Sequence, residues 1–349
     1  MCTRIFNNLK ADSPMTARNM DWLWPVNAYF YTFPAGTNCR GMDLDYAREI
    51  GISESQIFNW QSKYSSISSL MGDKAQGFAA VDGLNDQGLV ANGLYDESGT
   101  YTEPTREGQY LSANRWVQFA LDSFKNVNEA AEYFNSQAVN IVPQPLPDPS
   151  NMPSLLHLTL SDSSGDSAII EIQDGNFVVY HDRDFRVATN EPDYATQQTL
   201  LAYWRYIWGL NSNASTENPI NSAPGGNSPT QRFERASYYL SFADKATSHH
   251  EALTQARSLV ASCAVPVGFN PYHESEASYT IWANTADHIG GKYYLTNTTS
   301  MNTIWLSFEE PITTCQHVFL QQEKCATPVP GVTSGDVSSL LRECANPFS

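Results

Sequence analysis

The sequence predicts a single-domain α+β or layered α/β fold, with two groups of antiparallel strands and helices between them. Three observations lead there. Short β-branched and aromatic segments bounded by Asn, Asp, Gly and Pro open the chain and recur after its middle. Helical periodicity takes over only near residue 114 and returns near residue 231. No internal repeat and no charge run divides the 349 residues.

Taken in order, the first strands are Thr3–Phe6, Thr16–Trp22 and Tyr29–Phe33, each ending in turn residues. Asn85-Asp86-Gln87-Gly88 then forms a turn between strands Gly77–Val81 and Leu89–Leu94. Helices follow over Asn114–Phe124 and Val127–Phe134, the second with Asn128 and Glu129 as start signals. Five prolines from Pro143 to Pro153 exclude regular structure and read as a surface loop. Beyond them Leu155–Ser161, Ala168–Ile172, Phe177–His181 and Phe185–Ala188 read as a meander. The polar stretch Asn211–Pro229 reads as a loop or lid. Helices at Gln231–Phe242 and His250–Cys263 precede strands Tyr279–Ala283, Lys292–Thr296 and Thr303–Phe308, and residues 311–349 form a tail.

The composition, 41% hydrophobic and 16% charged, is that of a globular protein, and no apolar run is long enough for a transmembrane helix. With 37 Asp+Glu against 20 Lys+Arg, the net charge of -17 repels phosphates and anionic lipids, so neither nucleic acid nor membrane is an expected partner. Six cysteines occur without a C-x-x-C pair, which excludes a zinc ribbon or a thioredoxin-type site. Three of them, Cys315, Cys325 and Cys344, lie in the tail and are compatible with a tethering disulfide in an oxidising compartment. The segment Met-Cys-Thr-Arg-Ile-Phe has neither region of a secretory signal. Either the protein is cytoplasmic, or Met1 stands where a signal was removed.

Several catalytic signatures are missing. Thr254 stands where His250-Glu251 would need a second histidine to form a zinc helix, and the seven histidines show no metal-ligand spacing. There is no G-x-S-x-G elbow and no phosphate-binding glycine loop, so neither metal nor organic cofactor is expected. Cys2 offers another route. Once Met1 is removed, one residue carries a thiol and an α-amine whose ordinary pKa near 8 makes it a usable base. Taken alone, Cys2 reads first as an ordinary chain terminus. Arg18 and Asp21, three apart and so on opposite faces of a strand or around a turn, are the nearby charges able to tune a thiolate and hold an ammonium group.

Cys2-Thr3-Arg4 followed by Ala17-Arg18-Asn19-Met20-Asp21-Trp22 resembles the choloylglycine hydrolase family, which includes conjugated bile salt hydrolases and penicillin V acylases. The resemblance continues through Trp60–Tyr64, Asp82–Leu89, Leu156–Leu158 with Ser161–Glu171, Thr189-Asn190-Glu191-Pro192, and Gln231-Arg232-Phe233-Glu234-Arg235-Ala236-Ser237. It implies a four-layer αββα Ntn-hydrolase fold and cleavage of a non-peptide carboxamide through a thioester. On matched positions it implies Cys2 as nucleophile and base, Asp21 orienting the amine, and Arg18 and Arg232 setting the site's charge. Arg232 is preferred to Arg235 as the first arginine of the pair. Asn190 and the Tyr95 backbone N–H would hold the oxyanion.

Gly93-Leu94-Tyr95 carries an aromatic where bile salt hydrolases of Gram-positive type have asparagine, a departure toward the penicillin V acylases. Trp22 and Trp24 could wall an apolar acyl pocket, although aromatics at a strand end are more often core. The expected partner is a small N-acyl amide, penicillin V first, with bile salts or acyl homoserine lactones as alternatives, or a mere ligand if the relative is inactive. The resemblance also implies a periplasmic homotetramer, assembled through the region of Asn211–Pro229.

Overall fold

The first strand, β1 (Cys2–Asn7), is buried along its whole length, as is its antiparallel partner β2 (Met15–Trp22). A strand covered on both faces loses polar–apolar alternation, and here it carries Arg4, Arg18 and Asp21 into the interior. The computed structural model describes residues 2–349 apart from 25, 102, 105–106, 212–215, 271–277, 299–301 and 321–333. Met1 and Cys325 therefore lie outside the described residues.

Next come β3 (Ala28–Phe33), β4 (Asn38–Arg40), α1 (Leu44–Glu49), β5 (Asn59–Gln61), β6 (Ser66–Asp73), β7 (Gly77–Asn85), β8 (Val90–Tyr95) and β9 (Tyr110–Ser112). Helices α2 (Ala113–Ser123) and α3 (Val127–Asn135) start on Ser112 and Asn126, whose side chains accept from the Asn114 and Glu129 N–H groups. Then follow β10 (Asn140–Val142), β11 (Leu156–Ser161), β12 (Ser167–Gln173), β13 (Asn176–His181), β14 (Val187–Ala188) and helix α4 (Tyr194–Ile207). Helices α5 (Pro229–Phe242) and α6 (His249–Ala261) precede β15 (Tyr279–Asp287), β16 (Lys292–Asn297), β17 (Thr303–Ser307), β18 (Gln316–Leu320), β19 (Gly335–Asp336) and β20 (Arg342–Glu343).

Two large sheets result. One runs β14-β1-β2-β15-β16-β17-β19; the other runs β13-β12-β11-β8-β7-β6-β3-β18-β20 and is antiparallel throughout. Helices α5 and α6 pack on the first sheet, while α2 and α3 pack on the second. The order is αββα. Side chains join the sheets: Arg4 of β1 donates to the Leu160 carbonyl and Ser167 Oγ, and Thr16 Oγ1 meets Ser161 Oγ at 2.7 Å. No described helix is long and apolar enough to cross a membrane.

The proline segment departs from expectation. It is not a simple surface loop, because a Pro145–Pro153 bridge pinches it and drives Leu146 and Asp148 inside. Helix α4, between the predicted meander and the polar stretch, is an addition. The tail also contributes structure, since β18 and β20 extend the second sheet and Phe348 is buried against Phe33. Cys315 and Cys344 face each other there with their sulfurs 3.6 Å apart, unbonded.

Candidate active site

The β1–β2 register places Cys2 opposite Met20 and Arg4 opposite Arg18, with these side chains directed at the second sheet. Thr3, Asn19 and Asp21 take the other face, toward the helices. The expected separation of Arg18 and Asp21 on opposite faces of a strand is thus realised. The two charges approach Cys2 from different sides.

On the inner side, Arg18 Nη1 donates to Asp82 Oδ2 at 2.7 Å, while Nη2 donates to Cys2 Sγ and to the Gly93 carbonyl, both at 3.0 Å. That carbonyl is accessible because pairing of β7 with β8 ends at Asp82↔Asn92. Burial works against the guanidinium charge, but Asp82 and then the Cys2 sulfur outweigh it, and the Arg18 pKa is raised. Burial pushes the Asp82 carboxyl up, opposed by Arg18, Asn92 and Asn284. Asn92 Nδ2 and Asn284 Nδ2 each donate to Asp82 at 2.9 Å.

On the outer side, Arg232 of α5 donates through Nη1 to the Cys2 carbonyl and to Thr3 Oγ1, and through Nη2 to Asn190 Oδ1 at 2.7 Å. Its Nη1 lies 3.7 Å from Asp21 Oδ2, and Asp21 Oδ1 accepts from Thr280 Oγ1 at 2.5 Å. Arg235 turns away, donating to the carbonyls of Ser262, Pro224 and Gly226. Helix α5 fixes the choice: Pro229 starts it, and the Ser228 cap accepts from the Gln231 N–H.

Asn190 sits between the two sides. Its Oδ1 accepts from the Cys2 N–H at 2.7 Å, and its Nδ2 donates to the Tyr95 carbonyl at 2.6 Å. Here, then, the amide expected to face an oxyanion is turned onto Tyr95 itself.

A narrow cleft opens over the Cys2 sulfur. Its wall is apolar, formed chiefly by Met20, Trp22, Met71, Val81, Leu146 and Leu156, with Tyr95 beside them. Tyr95 meets Trp22 edge to face at 5.4 Å, and Trp22 Nε1 donates to Asp148 Oδ2 at 2.8 Å. Trp24 stands behind Trp22, 6.4 Å from it, and does not line the cleft. Sequence reasoning missed Asp82 as an anchor, although a carboxylate inside the apolar run Phe78–Leu84 was a signal. Asn284 and Leu146 carried none.

A thiol at the start of an interior strand, with arginines on both faces and an apolar cleft above, defines within these four layers a hydrolase of the Ntn fold. The chain belongs to the choloylglycine hydrolase family of linear amide C–N hydrolases, whose model matches residues 2–319. It is 32% identical over 326 residues to penicillin V acylase of Pectobacterium atrosepticum, covering 88% of this chain and 81% of that one. The structure of penicillin V acylase from Agrobacterium tumefaciens superposes with a TM-score of 0.81 at 28% identity, over 100% of this chain and 99% of that one. Structures of variants of conjugated bile acid hydrolase from Clostridium perfringens reach 0.73 at 18% identity, over 93% of this chain and 98% of theirs, a likeness of fold. The protein is an enzyme acting on small acyl amides.

Proposed function

We propose that the protein is a penicillin V acylase-type amidase in which Cys2, freed as the N-terminal residue, is the nucleophile. The observation that carries this reading is the Cys2 sulfur at the foot of an apolar cleft, held by Arg18 at 3.0 Å. The Cys2 thiolate attacks the amide carbon, and the α-amine, retained by Asn190 with Asp21 and Arg232 nearby, receives and returns the proton. The Tyr95 N–H and Asn190 Nδ2 hold the oxyanion, Asn190 first releasing the Tyr95 carbonyl. The amine leaves protonated, and water then cleaves the thioester.

The Trp22–Tyr95 edge favours an aryloxyacetyl group, with offset ring contact worth about 0.5–1.5 kcal/mol. The flexible Met20 and Met71 support a second reading, a long-chain N-acyl homoserine lactone, because thioether side chains repack around a linear chain. We also read the protein as periplasmic, with Cys2 uncovered by processing, and as a homotetramer. Exposed Leu200, Tyr203 and Tyr206 on α4 and Tyr239 and Phe242 on α5 support assembly.

The test is a substrate panel of penicillin V, glycocholate and a long-chain acyl homoserine lactone, run with intact-mass analysis. Penicillin V should turn over fastest, in protein whose mass lacks Met1, and Cys2→Ala should lower kcat by about 10⁴-fold or more. Retention of Met1 in active protein, or activity surviving in Cys2→Ala, would overturn the mechanism. Faster glycocholate cleavage would overturn the acyl preference alone.

A further inference from the structure

Behind the Tyr95–Asn190 pair lies a second buried cluster that this mechanism does not use. Asp96 follows Tyr95 in the chain, His157 lies on β11 and Glu171 on β12; one ligand atom from each falls within 4.8 Å of the others. All three are buried. His157 Nδ1 is 3.5 Å from Asp96 Oδ2 and 4.0 Å from Glu171 Oε1, charge-pair distances rather than formed hydrogen bonds.

Each carboxylate is held by donors of its own. Asp96 Oδ1 accepts from Ser98 N–H at 3.0 Å and Ser98 Oγ at 2.6 Å. Glu171 Oε1 accepts from the Tyr194 N–H at 2.6 Å, at the start of α4, and Oε2 accepts from Gln173 Nε2 at 3.0 Å. Asp96 Oδ2 is the carboxylate oxygen nearest the His157 ring.

We infer that His157 is a positioning residue for amide hydrolysis: set between Asp96, which follows Tyr95, and Glu171, which holds the Tyr194 N–H just beyond the Asn190 segment, it fixes the separation of the two oxyanion donors. The inference rests on the reading of the site given above. Burial disfavours the ring charge, but Asp96, and after it Glu171, outweigh burial and raise the His157 pKa. The same contact, with Ser98, holds Asp96 down to about 2 despite its burial. One step further out, Glu191 faces Asp96 and Asp193 faces Glu171, so the groups around the ring are acidic on both sides.

Below its raised pKa the ring is charged, and the brace is lost as pH rises through that value. The experiment measures kcat and KM for the turned-over amide against pH in the full enzyme, His157→Gln and Asp96→Asn, with iodoacetamide alkylation of Cys2 alongside. Alkylation needs the thiol but no oxyanion donors. His157→Gln should lower kcat about tenfold to a hundredfold, below the loss of an oxyanion donor itself, with KM and alkylation within about twofold. Asp96→Asn keeps the Ser98 contacts and should move the alkaline limb of the kcat profile to lower pH, which keeps the test decisive if His157→Gln misfolds. Full kcat in His157→Gln, an unmoved limb in Asp96→Asn, or inactivation of the unaltered enzyme by a chelator would overturn the inference. An unaltered enzyme that is alkylated at Cys2 yet cleaves no amide would overturn this inference and the nucleophile reading together.

Discussion

Arg18 is anchored before any substrate arrives, by one carboxylate, one carbonyl and one sulfur. Because Arg18 and Asp82 are both fully buried, removing either leaves a charge without its counterion. Arg18→Leu should therefore destabilise the fold by about 3–5 kcal/mol, read from urea unfolding. The double variant Arg18→Leu/Asp82→Leu should recover most of that loss while staying inactive; equal instability in single and double variants would show that the pair is not coupled. In the cleft, Leu146→Ala should raise kcat/KM for bulkier acyl groups relative to penicillin V, read from competition assays. Cys2, Arg18, Asp21, Asn190 and Arg232 were legible as sequence blocks, and the structure brings all five together. Asn284 was not, because its partner Asp82 meets it only through the packing of two sheets. Trp24 was overread, since proximity in sequence to Trp22 placed it behind the wall instead of on it.

Among the elements, helices with a clean apolar stripe were readable and α4 was not. Its buried positions Tyr194, Gln197 and Leu201 include a glutamine, while Leu200, Tyr203 and Tyr206 face outward. That arrangement erases the helical pattern. The start signal was nevertheless there: Asp193 accepts from the Thr196 N–H. Asp193→Ala should cost about 1 kcal/mol in thermal unfolding, and an unchanged midpoint would show that Glu171 alone fixes the helix start. The proline segment was misplaced for a related reason. Prolines forbid ladders but not burial, and a loop satisfied by its own carbonyls can enter a core, as Leu146 N–H donating to Met152 O illustrates.

At the scale of the whole molecule, the two sheets came from the sequence as groups of strands without their order. Neighbours such as β14 and β1, or β2 and β15, are drawn from distant parts of the chain, and no local pattern specifies such pairing. One of the links between sheets is also a pH sensor of stability. His288 Nδ1 donates to the Gly88 carbonyl at 2.7 Å, so the neutral ring accepts from Thr16 Oγ1 at Nε2, 2.8 Å away. Burial lowers its pKa from 6.5 to about 4. The unfolded chain thus binds this proton first, and stability present above pH 6.5 is lost as pH falls toward 4, by about 3 kcal/mol. In His288→Gln, the urea midpoint should change less between pH 7 and pH 4.5; an identical change would remove His288 as the cause.

The placement of the Cys2 environment has a practical corollary. Its groups come from β1, β2, β7, α5 and the segment before α4, so no single layer retains a working fragment of the site. Turnover can then serve as a thermometer of the entire fold. Heat inactivation should coincide with the loss of near-ultraviolet circular dichroism, and a stabilised variant could be found by screening for residual activity after heating, with no separate stability assay.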